Sequence, residues 1–318
     1  MSFPALSASG LLMVADPHLA DTPPGQRLPG YREQILDKLA AFLVLAQERA
    51  ALPVILGDLF HWPRENSNAL LVELIRLFTP QKPFVLVGNH DKHLARLTSD
   101  VSLSVLAEAG AVRLLADPGP QFVLETPQGR ALIGASPDGG PLPSGFQRAP
   151  GDPELVVWLT HHNIRFPEFE TRAYGIRELP GIDLLVNGHI HRPQPEVRAG
   201  QTLWTNPGNI SRLTFTRRSQ ERRPAAFFWR PGLETLERVE LPHLPFAQVF
   251  PDQDFPPEEQ EAESESRFLL GLERLAWKRT SEGTGLKQFL QTNLNPELPE
   301  SALVWELYEE AVHGPEHG

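Results

Sequence analysis

The chain has no cysteine in its 318 residues. Disulfides and thiolate metal sites are therefore excluded, and any metal must sit on His, Asp, Glu, Asn or water. It also lacks an apolar run long enough to span a bilayer, so no membrane partner is expected. The first ten residues hold no basic segment followed by an apolar core, which leaves the cytoplasm as the simplest location. An excess of positive charge is missing as well. The formal net charge is −11, and residues 251–318 hold 15 acidic and 5 basic side chains, a net of −10, against 25 and 24 in the 250 residues before them. That balance excludes a globally basic nucleic-acid binder. A local basic strip, or bound cations, could still attract phosphate.

What the chain does have is a series of short apolar runs that each stop in polar residues. Residues 10–15 run into Asp16-Pro17-His18, and 53–56 into Gly57-Asp58-Leu59-Phe60-His61. Residues 83–87 run into Gly88-Asn89-His90-Asp91, 155–160 into His161-His162-Asn163, and 182–186 into Asn187-Gly188-His189-Ile190-His191. Each run reads as a buried strand. Between the first three lie two helical patterns, one over 31–50 with Ile35, Leu39, Phe42 and Ala46 on one face, the other through Leu70, Leu74 and Phe78. This β-α-β-α-β order predicts a largely parallel sheet with its C-terminal strand ends open for a site. Ser99 or Asp100 is placed to cap a short helix over 101–109. Beyond it, short strands separated by Pro and Gly predict a second sheet facing the first. Residues 1–250 read as one α/β body, 251–266 as an acidic solvated linker, and 267–318 as a C-terminal helical segment.

The strand ends carry Asp16 and His18, Asp58, Asn89 and His90, His161, and His189 and His191. These are hard or borderline ligands without sulfur, about as many as two divalent cations need when each keeps a position for water or substrate. His161 and His162 both follow a strand, and period-2 alternation sends only one of them to the site.

This ordered set resembles the calcineurin-like metallophosphoesterases over residues 10–215. The resemblance implies a two-sheet β-sandwich flanked by helices. It implies that Asp16, His18, Asp58 and His191 hold one metal, and that Asp58, Asn89, His161 and His189 hold the second, with Asp58 bridging. It further implies His90 as proton donor or transition-state stabiliser, oriented by Asp91, and water, activated between two cations, as the group that attacks phosphorus. The ligand types suit Mn²⁺, with Fe²⁺ or Zn²⁺ as alternatives.

For the substrate, three blocks are similar to the exonuclease (SbcD-type) branch of that family. They are Gly57-Asp58-Leu59-Phe60-His61 with its polar loop, Glu108-Ala109-Gly110-Ala111-Val112-Arg113-Leu114-Leu115, and Asn206-Pro207-Gly208-Asn209-Ile210-Ser211-Arg212. Arg212, Arg217, Arg218, Arg222 and Arg223 follow as a basic strip that would grip a DNA backbone, with a solvated hairpin as the plainer reading. Trp62 is placed to stack on a base near the metals, while Phe60 suits the core. By the same resemblance the C-terminal helices would dock on a structural-maintenance-like ATPase, or fold back on their own domain. The sequence thus favours a two-metal DNA nuclease. A small-molecule phosphoesterase acting on nucleotides, cyclic nucleotides or another phosphodiester is the alternative, favoured if 21–30 or 136–153 roofs the site. All motif positions are filled, which argues against a non-catalytic relative.

Overall fold

A computed structural model describes residues 3–169, 174–255 and 304–305. The chain divides into two units, Met1–Phe255 and Pro256–Gly318. Of the second unit only residues 304 and 305 are described, so the expected C-terminal helices, and with them the ATPase-docking segment, lie outside the described residues, as does most of the expected acidic linker.

In the first unit the order is β1 (Ala5–Ser7), β2 (Leu11–Val14), α1 (Tyr31–Glu48), β3 (Leu52–Ile55), α2 (Asn68–Phe78), β4 (Phe84–Leu86), α3 (Ser102–Glu108) and β5 (Arg113–Leu115). The hairpin β6 (Gly119–Thr126) and β7 (Gly129–Ser136) follows, then β8 (Leu155–Thr160) and the short pair β9 (Ile164–Arg165) and β10 (Tyr174–Gly175). Next come β11 (Leu184–Asn187), β12 (Gln194–Ala199), β13 (Thr202–Asn206), α4 (Arg217–Glu221), β14 (Ala225–Trp229), β15 (Glu237–Glu240) and α5 (Phe246–Val249).

Among the described residues the main strands form two sheets, ordered β15-β14-β2-β3-β4-β5 and β1-β6-β7-β8-β11-β13-β12. In the first, β2 to β5 run parallel, with α1, α2 and α3 as their crossovers. In the second, β7, β8, β11 and β13 run parallel. The fold is therefore a two-sheet sandwich with helices on one flank.

The alternation along β2 shows why its sequence is apolar throughout. Leu12 and Val14 pack beneath the helices with Ile35, Leu39 and Phe42, while Leu11 and Met13 meet Ile133, Val157 and Val186 of the facing sheet. A strand covered on both faces has no polar side to display. Full burial of each such side chain stabilises by about 1.5–3 kcal/mol. On the far face of the second sheet, Trp158, Leu185 and Trp204 build a third layer with Phe166.

Ser67 caps α2 by accepting from Leu70 N at 3.1 Å. The helix after β4 is not capped by Ser99 or Asp100. Its cap position is Val101, with no side-chain hydrogen bond, and the Asp100 carboxylate is taken by Thr98 and by Arg64 at 2.5 Å. No helix among the described residues is long and apolar enough to cross a membrane.

Candidate metal centre

The parallel strands of both sheets deliver their C-terminal ends to one place. Ala15, after β2, bridges to Asn209, after β13, and Ile210 N donates to Ala15 O at 3.0 Å. His161, after β8, sets its Nδ1 2.8 Å from Leu56 O, after β3. The ends bend sharply. Asp16, His18, Asp58 and His189 adopt φ of 48°, 48°, 49° and 71°, a region that side chains other than Gly rarely enter. Such strain gathers where surrounding contacts fix a functional geometry. Two glycines clear the space. A Cβ on Gly57 would overlap the His161 ring, and one on Gly88 would overlap the Asp58 carboxylate.

The side chains then converge. The ligand-type atoms of His18, Asp58 and His191 lie within 4.8 Å of one another, as do those of Asp58, His161 and His189, so Asp58 is common to both groups. His18 Nε2 is 2.8 Å from His191 Nε2 and 3.6 Å from Asp58 Oδ2. His161 Nε2 is 3.3 Å from Asp58 Oδ2 and 3.2 Å from Asn89 Oδ1, and His189 Nδ1 is 2.9 Å from that same Asn89 oxygen. Asp16 accepts from His189 N through Oδ1 at 2.9 Å, while its buried Oδ2 has no hydrogen-bond partner among the described residues. His162 turns away from this cluster, with its Nε2 2.8 Å from Gly140 O, as alternation requires of one of the pair.

Burial sets the charge states. It pushes the Asp16 carboxyl up to about 7, with Asp58 adding to the rise against His161. It pulls His189 down to about 4, His191 to about 3, and His18 well below the usual imidazole value. Burial acts on Asp58 too, but the imidazoles of His161, His90 and His18 outweigh it and hold Asp58 well below the carboxylate range. His161 is the exception. Burial opposes its charge, yet Asp58 raises it to about 10. Neutral imidazoles and an ionised shared carboxylate are the forms that bind cations, and a proton held between Asp58 and His161 is one that metal binding would release. Paired imidazole nitrogens at 2.8 Å and an orphaned carboxylate oxygen fit a two-cation site built from Asp16, His18, Asp58, Asn89, His161, His189 and His191.

His90 and Asp91 sit beside the cluster. His90 N donates to Asp58 Oδ1 at 2.8 Å, and its Nδ1 lies 2.8 Å from His61 O, an atom that can only accept. The Asp91 carboxylate accepts from Gly88 N at 3.0 Å and Phe60 N at 3.3 Å, so it clips together the loops after β3 and β4. Burial pushes Asp91 up to about 6.

His61 was not singled out by the sequence. Its ring stacks near His90 at 5.5 Å, and its ligand-type atom lies within 4.8 Å of those of His18 and His90. The signal was its place at the end of the Gly57–His61 block. A second omission is the amide pair behind the β11 loop. Asn187 Nδ2 donates to Asn206 Oδ1 at 2.9 Å, and Asn206 Nδ2 donates to Ile190 O and Arg192 O, on either side of His191.

The five arginines do not form one exposed strip. Arg212 is only 3% exposed, and its Nη2 donates to Leu244 O. Arg222 donates to His191 O and to Asn209 Oδ1, bracing the loops that follow β11 and β13. Arg217 lies 5.3 Å over the Phe255 ring, Arg218 is exposed on α4, and Arg223 faces Glu240 at 3.6 Å.

Three solved structures resemble this chain. Sulfate thiohydrolase SoxB from Thermus thermophilus, in complex with glycerol, has a TM-score of 0.40 and 14% identity over 76% of this chain and 58% of that one. A 5′-nucleotidase precursor, also from Thermus thermophilus, has 0.40 and 13% over 74% and 54%. The Haemophilus influenzae NAD nucleotidase NadN has 0.42 and 12% over 73% and 50%. The chain thus spans between half and three-fifths of their lengths. No curated protein matches in sequence. The calcineurin-like phosphoesterase family matches residues 11–193, more than half of the chain and the stretch that holds every residue of the cluster, and the chain belongs to that family.

Proposed function

We propose that this protein hydrolyses a phosphoester of nucleotide size at a two-cation centre, rather than gripping a DNA strand. The observation that carries the size argument is the fate of Arg212 and Arg222, which are committed to Leu244, His191 and Asn209. Without them the sequence's basic strip is not a continuous backbone-binding surface. A neighbouring loop supports the same reading. Asp138 N donates to Val87 O at 2.9 Å and Lys92 pairs with Asp138 at 2.5 Å, so Asp138 stands against the loop that carries Asn89.

When bound, two divalent cations supply a nucleophile from water and neutralise phosphoryl charge. The protein's own groups do the rest. Asp16, His18, Asp58 and His191 would hold one cation, and Asp58, Asn89, His161 and His189 the other. Mn²⁺ suits these donors, with Fe²⁺ and Zn²⁺ as alternatives. His90 keeps its Nδ1 proton on His61 O, so proton transfer to the leaving oxygen runs through Nε2. Asp91 acts on the backbone, fixing the loop that carries Asn89 and His90.

The test is a parallel assay. Metal-stripped protein receives Mn²⁺ and is given bis-p-nitrophenyl phosphate, cyclic nucleotides, single-stranded DNA and duplex DNA, with an Asn89→Ala/His90→Ala variant as control. Turnover of the small esters with DNA left intact supports the proposal. DNA cleavage that the variant lacks would replace it with the nuclease reading.

A further inference from the structure

Trp62 is 46% exposed. A lone surface aromatic needs no explanation, but this one is set by its position. Its ring lies 4.6 Å from the His61 ring, edge to face, and the His61 ring lies 5.4 Å from that of His18 and 5.5 Å from that of His90. The aromatic surface therefore runs without a gap from a metal-ligand candidate and the proton donor out to an indole in solvent.

The loop that presents the indole is braced. Trp62 O accepts from Asn66 Nδ2 at 2.8 Å, and the same amide donates to Ser102 Oγ at 2.9 Å. Ser102 N donates to Pro63 O at 2.7 Å, and Arg64 pairs with Asp100 at 2.5 Å. At the far end the Asp21 carboxylate accepts from Ser67 N and Ser67 Oγ. The loop is thus tied to α3 and to the segment after β2 before any ligand arrives, and little ordering remains to be done on binding. Phe60, two residues earlier, is fully buried, so the core has taken one aromatic of this block and left the other outside.

A phosphate bound at the candidate ligands would lie beside His90, whose ring is 4.7 Å from that of His18, and the group attached to it would have this aromatic wall within reach. We propose that Trp62 is a stacking platform for the nucleobase of the substrate, making this centre selective for phosphoesters that carry a base. This rests on the phosphoester reading above and deepens it. Every base has a π-face, so the platform selects bases as a class and not one sequence.

The test uses the full chain loaded with Mn²⁺ and two probes that share a sugar phosphate, 5′-AMP and ribose 5-phosphate, titrated calorimetrically. The wild type should bind 5′-AMP more tightly by about 5- to 150-fold. Trp62→Ala should erase that advantage and leave ribose 5-phosphate affinity unchanged, while Trp62→Phe should keep most of it. Should Trp62→Ala misfold, Trp62→Leu retains bulk without a π-face and should lose the advantage equally. A wild type with no preference for 5′-AMP, or a Trp62→Leu variant that keeps the preference, overturns the proposal. The phosphoesterase reading is scored separately, by whether the wild type hydrolyses bis-p-nitrophenyl phosphate at all.

Discussion

The Nδ1 atom of His161 lies 2.8 Å from the carbonyl oxygen of Leu56. One residue follows a strand of the second sheet and the other follows a strand of the first, so the contact stitches the two sheets together at the candidate metal centre. A carbonyl accepts only, so Nδ1 carries the proton and Nε2 faces Asp58 and Asn89. His162 is committed to Gly140 O instead. His161→Ala should therefore lose one of two bound cations, and His162→Ala should keep both, as read by metal content after dialysis. The loss at His161 should exceed the 10–100-fold in affinity that removal of an outer partner typically costs. Equal losses in the two variants would contradict the assignment.

Gly57 adopts φ of 94°, and a Cβ there would overlap the His161 ring. Gly57→Ala should lower stability by about 1–3 kcal/mol from backbone strain alone. Displacement of His161 should weaken metal binding as well. Urea unfolding measures the first effect and calorimetric titration with Mn²⁺ the second.

Asn206 holds the carbonyls of Ile190 and Arg192 and accepts from Asn187. Asn206→Ala leaves buried groups unpaired at about 1–3 kcal/mol each. Because Ile190 and Arg192 flank His191, the variant should also lose metal affinity while its far-ultraviolet spectrum stays native.

Lys38 is buried on α1, with its Nζ donating to Ile210 O at 2.9 Å. Burial, reinforced by Arg27 and Arg212, holds its pKa well below 10.5. Between the folded and unfolded values the unfolded chain carries a proton that the native chain lacks, so wild-type stability rises with pH through that window. The penalty is full below the folded pKa and gone above the unfolded one. Lys38→Met removes the penalty. Its stability relative to wild type should therefore fall as pH rises from 7 towards 10.5, which thermal melts at both ends would reveal. A difference independent of pH would show that Lys38 carries no such cost.

The metal-ligand candidates were legible because each sits where an apolar strand ends, a local pattern that needs no knowledge of the fold. Alternation showed that only one of His161 and His162 could face the site, and the structure sends His162 to Gly140 O. The parallel first sheet followed from the β-α-β order, the helix-flanked sandwich from the family resemblance, and the doubly buried β2 from its unbroken apolar run. What could not be read rests on contacts between distant residues. Arg212 looked like part of a surface strip, yet it reaches Leu244 O, and nothing local to α1 marks Lys38 as the residue that meets Ile210 O. Asp100 had the right chemistry for a cap, but Arg64 and Thr98 claimed its carboxylate. His61 ends a block that named Asp58, and only the approach of His90 from another loop gives it a neighbour.

One measurement tests the central claim most directly. Metal-stripped protein is titrated with Mn²⁺ while hydrolysis of bis-p-nitrophenyl phosphate is followed, for the wild type and for His90→Asn. Two ions per chain are expected in both proteins, and a rate lower by about 10²–10⁴-fold in the variant, since only the proposed proton donor has been removed. Fewer than two ions in the wild type, or an unchanged rate in the variant, would contradict it.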